Sequence, residues 1–353
     1  MNYVKFKDLA LVVLGVALSV GLYLYLKPDL KASRVTPRAM CENDVKLHCS
    51  NVEAGEGRIS ACINSKKELL STNCQRALVG ASILHGHTSY LQNYFRFVIY
   101  QLAFTAFIGL LFVLYNKVVY NHWVQWKNLQ LDMAFFIFNI FVTQIFSLII
   151  IVYALEIYVQ YSSVDWMSKL ILVGDFINQY SILKWLVYLL VLDFLGYLTH
   201  RALHSKYLWK FHAAHHSSTD VDWSSNYRAH PFDLLFQSVL IGLPICIFGL
   251  KDIKIPWLFY VLILQALLVH SKVKLPMGFL KYIFVSPQFH RQHHAVGAET
   301  NTGRNYAAMF VFWDVLFKTA KFDTEKKMSF GIREPIPNSF ADHLAYPIRK
   351  VSK

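Results

Sequence analysis

Eight of the 15 histidines in this chain fall into three clusters. His200 and His204 lie four apart, His212, His215 and His216 form a triplet, and His290, His293 and His294 repeat that triplet downstream. On a helix, positions i, i+3 and i+4 share a face, so each cluster is expected to aim its imidazoles at one point. Neutral imidazole is a ligand for iron, zinc and copper. One HxxxH pair is ordinary on a solvated helix. Three clusters in an apolar chain predict a polynuclear, histidine-rich metal centre.

The elements that position these residues belong to a membrane protein. Of 353 residues, 55% are hydrophobic and only 16% charged, with a mean hydropathy of +0.34, whereas soluble domains carry about 25% charge. The net charge of +13 fits positive cytoplasmic flanks and contact with anionic headgroups. Nucleic acid is not an expected partner, because no basic-aromatic motif is present. Neither a dinucleotide fingerprint nor a phosphate-cradling GxxxxGK[ST] occurs.

Taken in order, residues 1–30 read as an uncleaved signal-anchor whose apolar run, 9–26, spans the membrane with Lys5 and Lys7 inside. Residues 31–92 are then external. They hold Cys41, Cys49, Cys62 and Cys74, four of the five cysteines, and an even set in a short polar segment on an oxidising side reads as two disulfides. The pairing is not legible. A zinc site is the weaker reading, as no CxxC pair occurs. Residues 93–180 carry spans at 97–115 and 133–155, an internal polar stretch at 116–132 and an outer loop with an interfacial helix at 156–180. A span at 182–199 delivers the first histidine pair to the cytoplasmic face, where Arg201, Lys206 and Lys210 follow at once. Apolar segments at 234–250 and 255–270 read as a re-entrant hairpin or a pair of short spans returning the second triplet to that face, and 321–353 as a basic cytoplasmic tail.

Two resemblances add to this. The spacing C-x7-C-x12-C-x11-C around GEGRI and LSTNC resembles one copy of the Cys-rich repeat of Golgi-type glycoproteins and small bacterial secreted proteins, a disulfide scaffold without an implied activity. From Asp193 to Thr319 the order DFLGYLTHRALH, HAAHH, RAHP, SPQFHRQHH, NY and WDVLF resembles the fatty acid hydroxylase and sterol desaturase superfamily of membrane di-iron oxygenases. That resemblance implies an all-α fold: a polytopic membrane helical bundle with a cytoplasmic helical cap carrying the dimetal site in residues 181–320, beside the small disulfide-stapled helical external segment. It implies that His200, His204, His212, His215, His216, His290, His293 and His294 are ligands and that His270 occupies the place of an additional ligand. Two departures stand out: QALLVH lacks a further upstream histidine, so Gln265, water or an open position would complete the shell, and Lys318 replaces the glycine of WDxLFGT.

Asp193, Tyr197, His200 and His204 fall on one helical stripe, so Asp193 is a candidate acceptor for a ligand imidazole N–H, with Tyr197 beside it. Asn305, with Tyr306, is expected to shape the site near the third cluster. His230 reads either as a ligand or, preferably, as a hydrogen bonder of the turn before Pro231. His48, His85, His87, His122 and His343 read as surface residues.

The activity implied is O2-dependent attack on a lipid C–H bond, hydroxylation first and desaturation second. Two iron ions are the implied cofactor, with zinc able to replace them on purification. The electron donor is expected to be external, of cytochrome b5, ferredoxin or reductase type, since the chain has no fused haem segment and no flavin or NAD motif. The expected location is a bacterial inner membrane or the endoplasmic reticulum. The alternative is a non-catalytic membrane protein whose external Cys-rich segment binds a partner, with a relic metal site. A zinc hydrolase would want HExxH, which is absent. The lipid itself is not legible.

Overall fold

Val98, Gln101, Thr105, Phe112 and Asn116 recur at helical spacing and are the buried stripe of a long helix, while Ile99, Phe107, Leu110, Leu114 and Val118 on its other faces are exposed. The outer surface of this helix is apolar, and its inner stripe includes two amides and a hydroxyl. The computed structural model describes residues 41–53, 55, 57–71, 74–75, 78, 87–143, 146, 181–247, 256–296, 303–322, 328–334, 336 and 339–349. The signal-anchor and the 156–180 loop expected from sequence lie outside them.

The described elements are helical, and no strand occurs among the described residues. Helices α1 (Glu42–His48) and α2 (Arg58–Ser65) form a small unit. Its disulfides are nested, Cys41 with Cys74 and Cys49 with Cys62. A core of Cys41, Cys49, Ile63, Leu70 and Cys74 is too small to fold alone, and the crosslinks make up the difference. Buried Asp44 accepts from the backbone N–H and the hydroxyl of Ser71 at 2.6 and 2.7 Å, closing the unit.

The long helix α3 (His87–Tyr120) is followed by α4 (Trp126–Phe141), α5 (Ser181–Leu203), α6 (Trp209–His216), α7 (Pro231–Ile247), α8 (Pro256–His270), α9 (Pro287–His293), α10 (Phe312–Leu316) and α11 (Phe340–Ala345). Among the described residues two segments, Val98–Tyr120 and Trp185–Leu203, are long and apolar enough to cross a membrane; Tyr260–His270 is a shorter apolar helix. Within the polar stretch 116–132, α3 continues to Tyr120 and α4 begins at Trp126, and Asn116 donates to Asp222 at 2.7 Å.

A 3-10 turn, Trp223–Tyr227, is the hub between these helices. Asp222 caps it through a reciprocal bond with Ser225, and it packs against α4 and α8. Trp223 lies over Gly109 of α3 so closely that a Cβ there would meet its ring at 2.5 Å. Tyr227 bonds Thr105 at 2.8 Å. Phe340 is fully buried against Phe135, Phe138 and Ala214.

Candidate metal centre

The motif SPQFHRQHH is first a helix start. Ser286 accepts from the backbone N–H of Phe289 at 3.1 Å, and Pro287 opens α9. α6 presents the other triplet, the end of α5 presents the pair, and His270 is the last residue of α8. The chain thus brings together nine histidines from four helix ends, in two groups. His200, His204, His212, His216 and His293 form one, and His215, His270, His290 and His294 the other, with the potential ligand atoms of each group within 4.8 Å of one another. The expectation that each cluster aims at one point is corrected here. The i and i+4 members of a triplet share a group and the third goes to the other, because i+3 and i+4 are about 100° apart around a helix. The groups adjoin: the rings of His216 and His294 stack at 4.4 Å, and those of His212 and His215 lie 5.1 Å apart.

The tautomers can be read from the partners. A carbonyl only accepts, so Nδ1 carries the proton where it meets Tyr306 O (His200, 2.7 Å), Arg304 O (His293, 2.7 Å), Arg228 O (His215, 3.2 Å) and Ala266 O (His270, 2.7 Å). Nε2 of each neutral ring is then a bare lone pair. In the first group, Nε2 of His200, His212, His216 and His293 is buried without a hydrogen-bond partner among the described residues. In the second, Nε2 of His270 sits 3.2 Å from His215, 3.2 Å from His290 and 3.1 Å from His294. The bare Nε2 atoms of His215 and His270 thus face each other; lone pairs at such a distance repel, and a cation between them removes the repulsion. Nitrogens about 2.1 Å from one ion lie about 3.0 Å apart at octahedral and about 3.4 Å at tetrahedral angles. The observed separations fall between, so the residues fit metal ions. Burial, with neighbouring imidazoles adding to it, holds His212, His215, His216, His290, His293 and His294 well below the ordinary histidine range, which keeps them in the metal-binding neutral form.

The supporting residues differ from those expected. Asp193 touches no cluster histidine: it accepts from the backbone N–H of Met309 and Phe310 and from the Trp313 indole, each at 3.0 Å. Its place on the stripe is one turn too far from the ligands. The carboxylate that meets a cluster histidine is Asp233, in the first turn of α7, whose Oδ2 accepts from His212 Nδ1 at 2.6 Å while Gln237 donates to Oδ1 at 2.7 Å. The acidic residue opening an apolar helix just after RAHP was the available signal. Tyr197 bonds Thr319 at 3.0 Å, and Asn305 donates to Phe289 O and Lys321 O while receiving Lys321 N–H, so both brace the 303–322 loop. Asp314 anchors the same loop on the N–H groups of Tyr306 and Ala307.

Gln265 donates to Val285 O and Ala308 O, away from both groups. His230 lies outside both groups, bonding Leu344 O and receiving Phe232 N–H at the turn. His343, expected at the surface, is buried: Nδ1 donates to Ser339 O and Nε2 accepts from Ser217. Sequence reasoning also missed the buried pair Arg228–Asp132 (2.6 Å), which fixes the backbone whose carbonyl orients His215.

A cavity of about 510 Å³ opens on both groups, with His200 and His212 of one and His215, His270 and His290 of the other in its wall. Phe136, Ile140, Leu234, Ile263 and Val269 supply apolar lining.

Residues 185–319 match the fatty acid hydroxylase family model. That segment is a fatty acid hydroxylase domain. Relatives of the hydroxylase domain include an ornithine lipid hydroxylase of Rhizobium tropici, 34% identical over 46% of this chain and 49% of its own length. An alkylglycerol monooxygenase of Homo sapiens is 30% identical over 44% and 34%, and a very-long-chain aldehyde decarbonylase of Oryza sativa 36% over 38% and 52%. The matches thus span about half the length of these relatives or less. No solved structure matches the chain.

Proposed function

We propose that this chain is a membrane-bound, O2-dependent oxidoreductase that hydroxylates an unactivated C–H bond of a lipid, with desaturation as the lesser outcome. The observation that carries this is the pairing of nine histidines, all buried but the half-buried His200, in two adjoining groups with one cavity that opens on both. Five imidazoles would hold one iron and four the other; the irons would supply the redox chemistry that lets O2 attack such a bond. The protein's own contribution is orientation and exclusion. Carbonyls of Tyr306, Arg304, Arg228 and Ala266 and the Asp233 carboxylate fix the ring tautomers. The apolar wall of Phe136, Ile140, Leu234, Ile263 and Val269 keeps water away and matches a lipid chain. Two relatives named as a hydroxylase and a monooxygenase support oxygen insertion over other outcomes.

In this reading residues 181–320 are the catalytic domain on the cytoplasmic face. The helices of 93–180 complete the bundle, 1–30 anchors it, and the disulfide unit within 31–92 faces the oxidising side. Electrons come from a separate donor of cytochrome b5, ferredoxin or reductase type. The test is a lipid mass comparison of cells expressing the chain or its His215→Ala variant, with and without oxygen. A lipid gaining one oxygen atom only with intact histidines and O2 is expected; iron-loaded protein supplied with a reductant that changes no lipid would overturn the proposal.

A further inference from the structure

The cavity wall is not uniformly apolar, and its polar part carries no side-chain cation among the described residues. No lysine or arginine lines it among the described residues, and its one carboxylate, Asp233, is engaged by His212 and Gln237. A carboxylate or phosphate placed there would find no side-chain cation to offset its desolvation. A bare hydrocarbon would leave an unengaged amide in the wall, that of Asn226, without a partner. The polar side chains of the hub turn sharpen the point. Ser224 donates to Asp132 at 2.7 Å, Ser225 donates to Ser218 at 3.3 Å, and Tyr227 is paired with Thr105. Asn226, between them, lines the cavity and makes no side-chain hydrogen bond among the described residues. An amide offers both donors and an acceptor. The turn holding it is rigid, capped by Asp222 and wedged between α4 and α8.

Building on the oxygenase reading, we infer that the cavity selects lipids that carry a neutral hydrogen-bonding group, a hydroxyl or an amide, and that Asn226 is the residue that grips that group. Any charged headgroup of such a lipid stays outside the cavity. Gln237, held by Asp233, and Ser238 lie on the same wall and widen the polar patch.

The experiment is isothermal titration of the purified full chain in detergent with four probes of equal chain length: 1-O-hexadecylglycerol, N-hexadecanoylethanolamine, palmitate and hexadecane. The two neutral polar probes are expected to bind tightest. Asn226→Leu weakens them roughly three- to tenfold, the value of one hydrogen bond, and leaves hexadecane unchanged. Asn226→Asp, of the same shape, serves if the leucine variant loses its fold; it weakens the ether and amide probes and rejects palmitate further. Equal affinity for all four probes, or polar-probe affinities unmoved in both variants, overturns the inference. Iron content and O2-dependent lipid products are read on the same samples. Products with unmoved binding sink this inference alone, and selective binding without products sinks the oxygenase reading alone.

Discussion

Nδ1 of His212 donates to Oδ2 of Asp233 across 2.6 Å, and both side chains are buried. The carboxylate fixes the ring's tautomer and raises its basicity, so the His212 Nε2 lone pair faces the first histidine group in ligand form. Asp233→Asn keeps the shape but replaces a charge-assisted acceptor with an amide. Metal affinity is expected to fall about 10- to 100-fold, read by metal content after dialysis against a graded chelator, while the disulfide unit stays intact.

Arg228 and Asp132 form a buried pair at 2.6 Å, with Ser224 donating to the same carboxylate. Removing one partner leaves an uncompensated charge, so Asp132→Asn and Arg228→Met are each expected to cost about 3–5 kcal/mol. The double variant Asp132→Leu with Arg228→Met recovers much of the loss. Thermal melting of the four proteins in detergent reads both effects.

Lys318 has φ of 58°, in the left-handed region. A side chain there costs roughly 1–2 kcal/mol relative to glycine, partly offset by the greater freedom glycine has when unfolded. Lys318→Gly therefore raises the melting temperature, and Lys318→Val lowers it. A drop with glycine would mean that the lysine side chain supports the loop.

Gly109→Ala sets a Cβ 2.5 Å from the Trp223 ring. The ring has no flexible end to yield, so the hub turn must shift, at a cost of about 1–3 kcal/mol. Both the melting temperature and the affinity for a neutral polar lipid should fall together, since Trp223 and Asn226 share that turn.

Deleting single ligands tests the grouping. His293→Ala strikes the first group and His290→Ala the second, although the two residues share α9. Each is expected to lower bound iron from two ions per chain toward one, and the pair together toward none. Full retention of both ions by either single variant contradicts the assignment.

Much of the site was legible because it is written in local spacing. The three histidine clusters and the cysteine spacing depend on neighbours close in the chain. What stayed hidden depends on distant partners. Asp193 and Asp233 are both acids on apolar helices, and only the path of the 303–322 loop gives the first to Met309 and Phe310 and leaves the second to His212. His343 has no histidine neighbour in sequence and is buried by the fold of the C-terminal segment onto α4 and α6. Lys318 was visible as a departure, but the backbone angle that gives it meaning was not.

The division of both triplets between two groups makes α6 and α9 function as rulers. Each helix holds residues of both groups on one rigid rod, so the spacing of the two groups is set by the rise and pitch of an α-helix rather than by the packing of one helix on another. A small tilt of either rod would carry both of its attachments along together. A single residue inserted between His212 and His215 would not merely displace one imidazole; it would rotate the marks on the ruler and put both groups out of gauge.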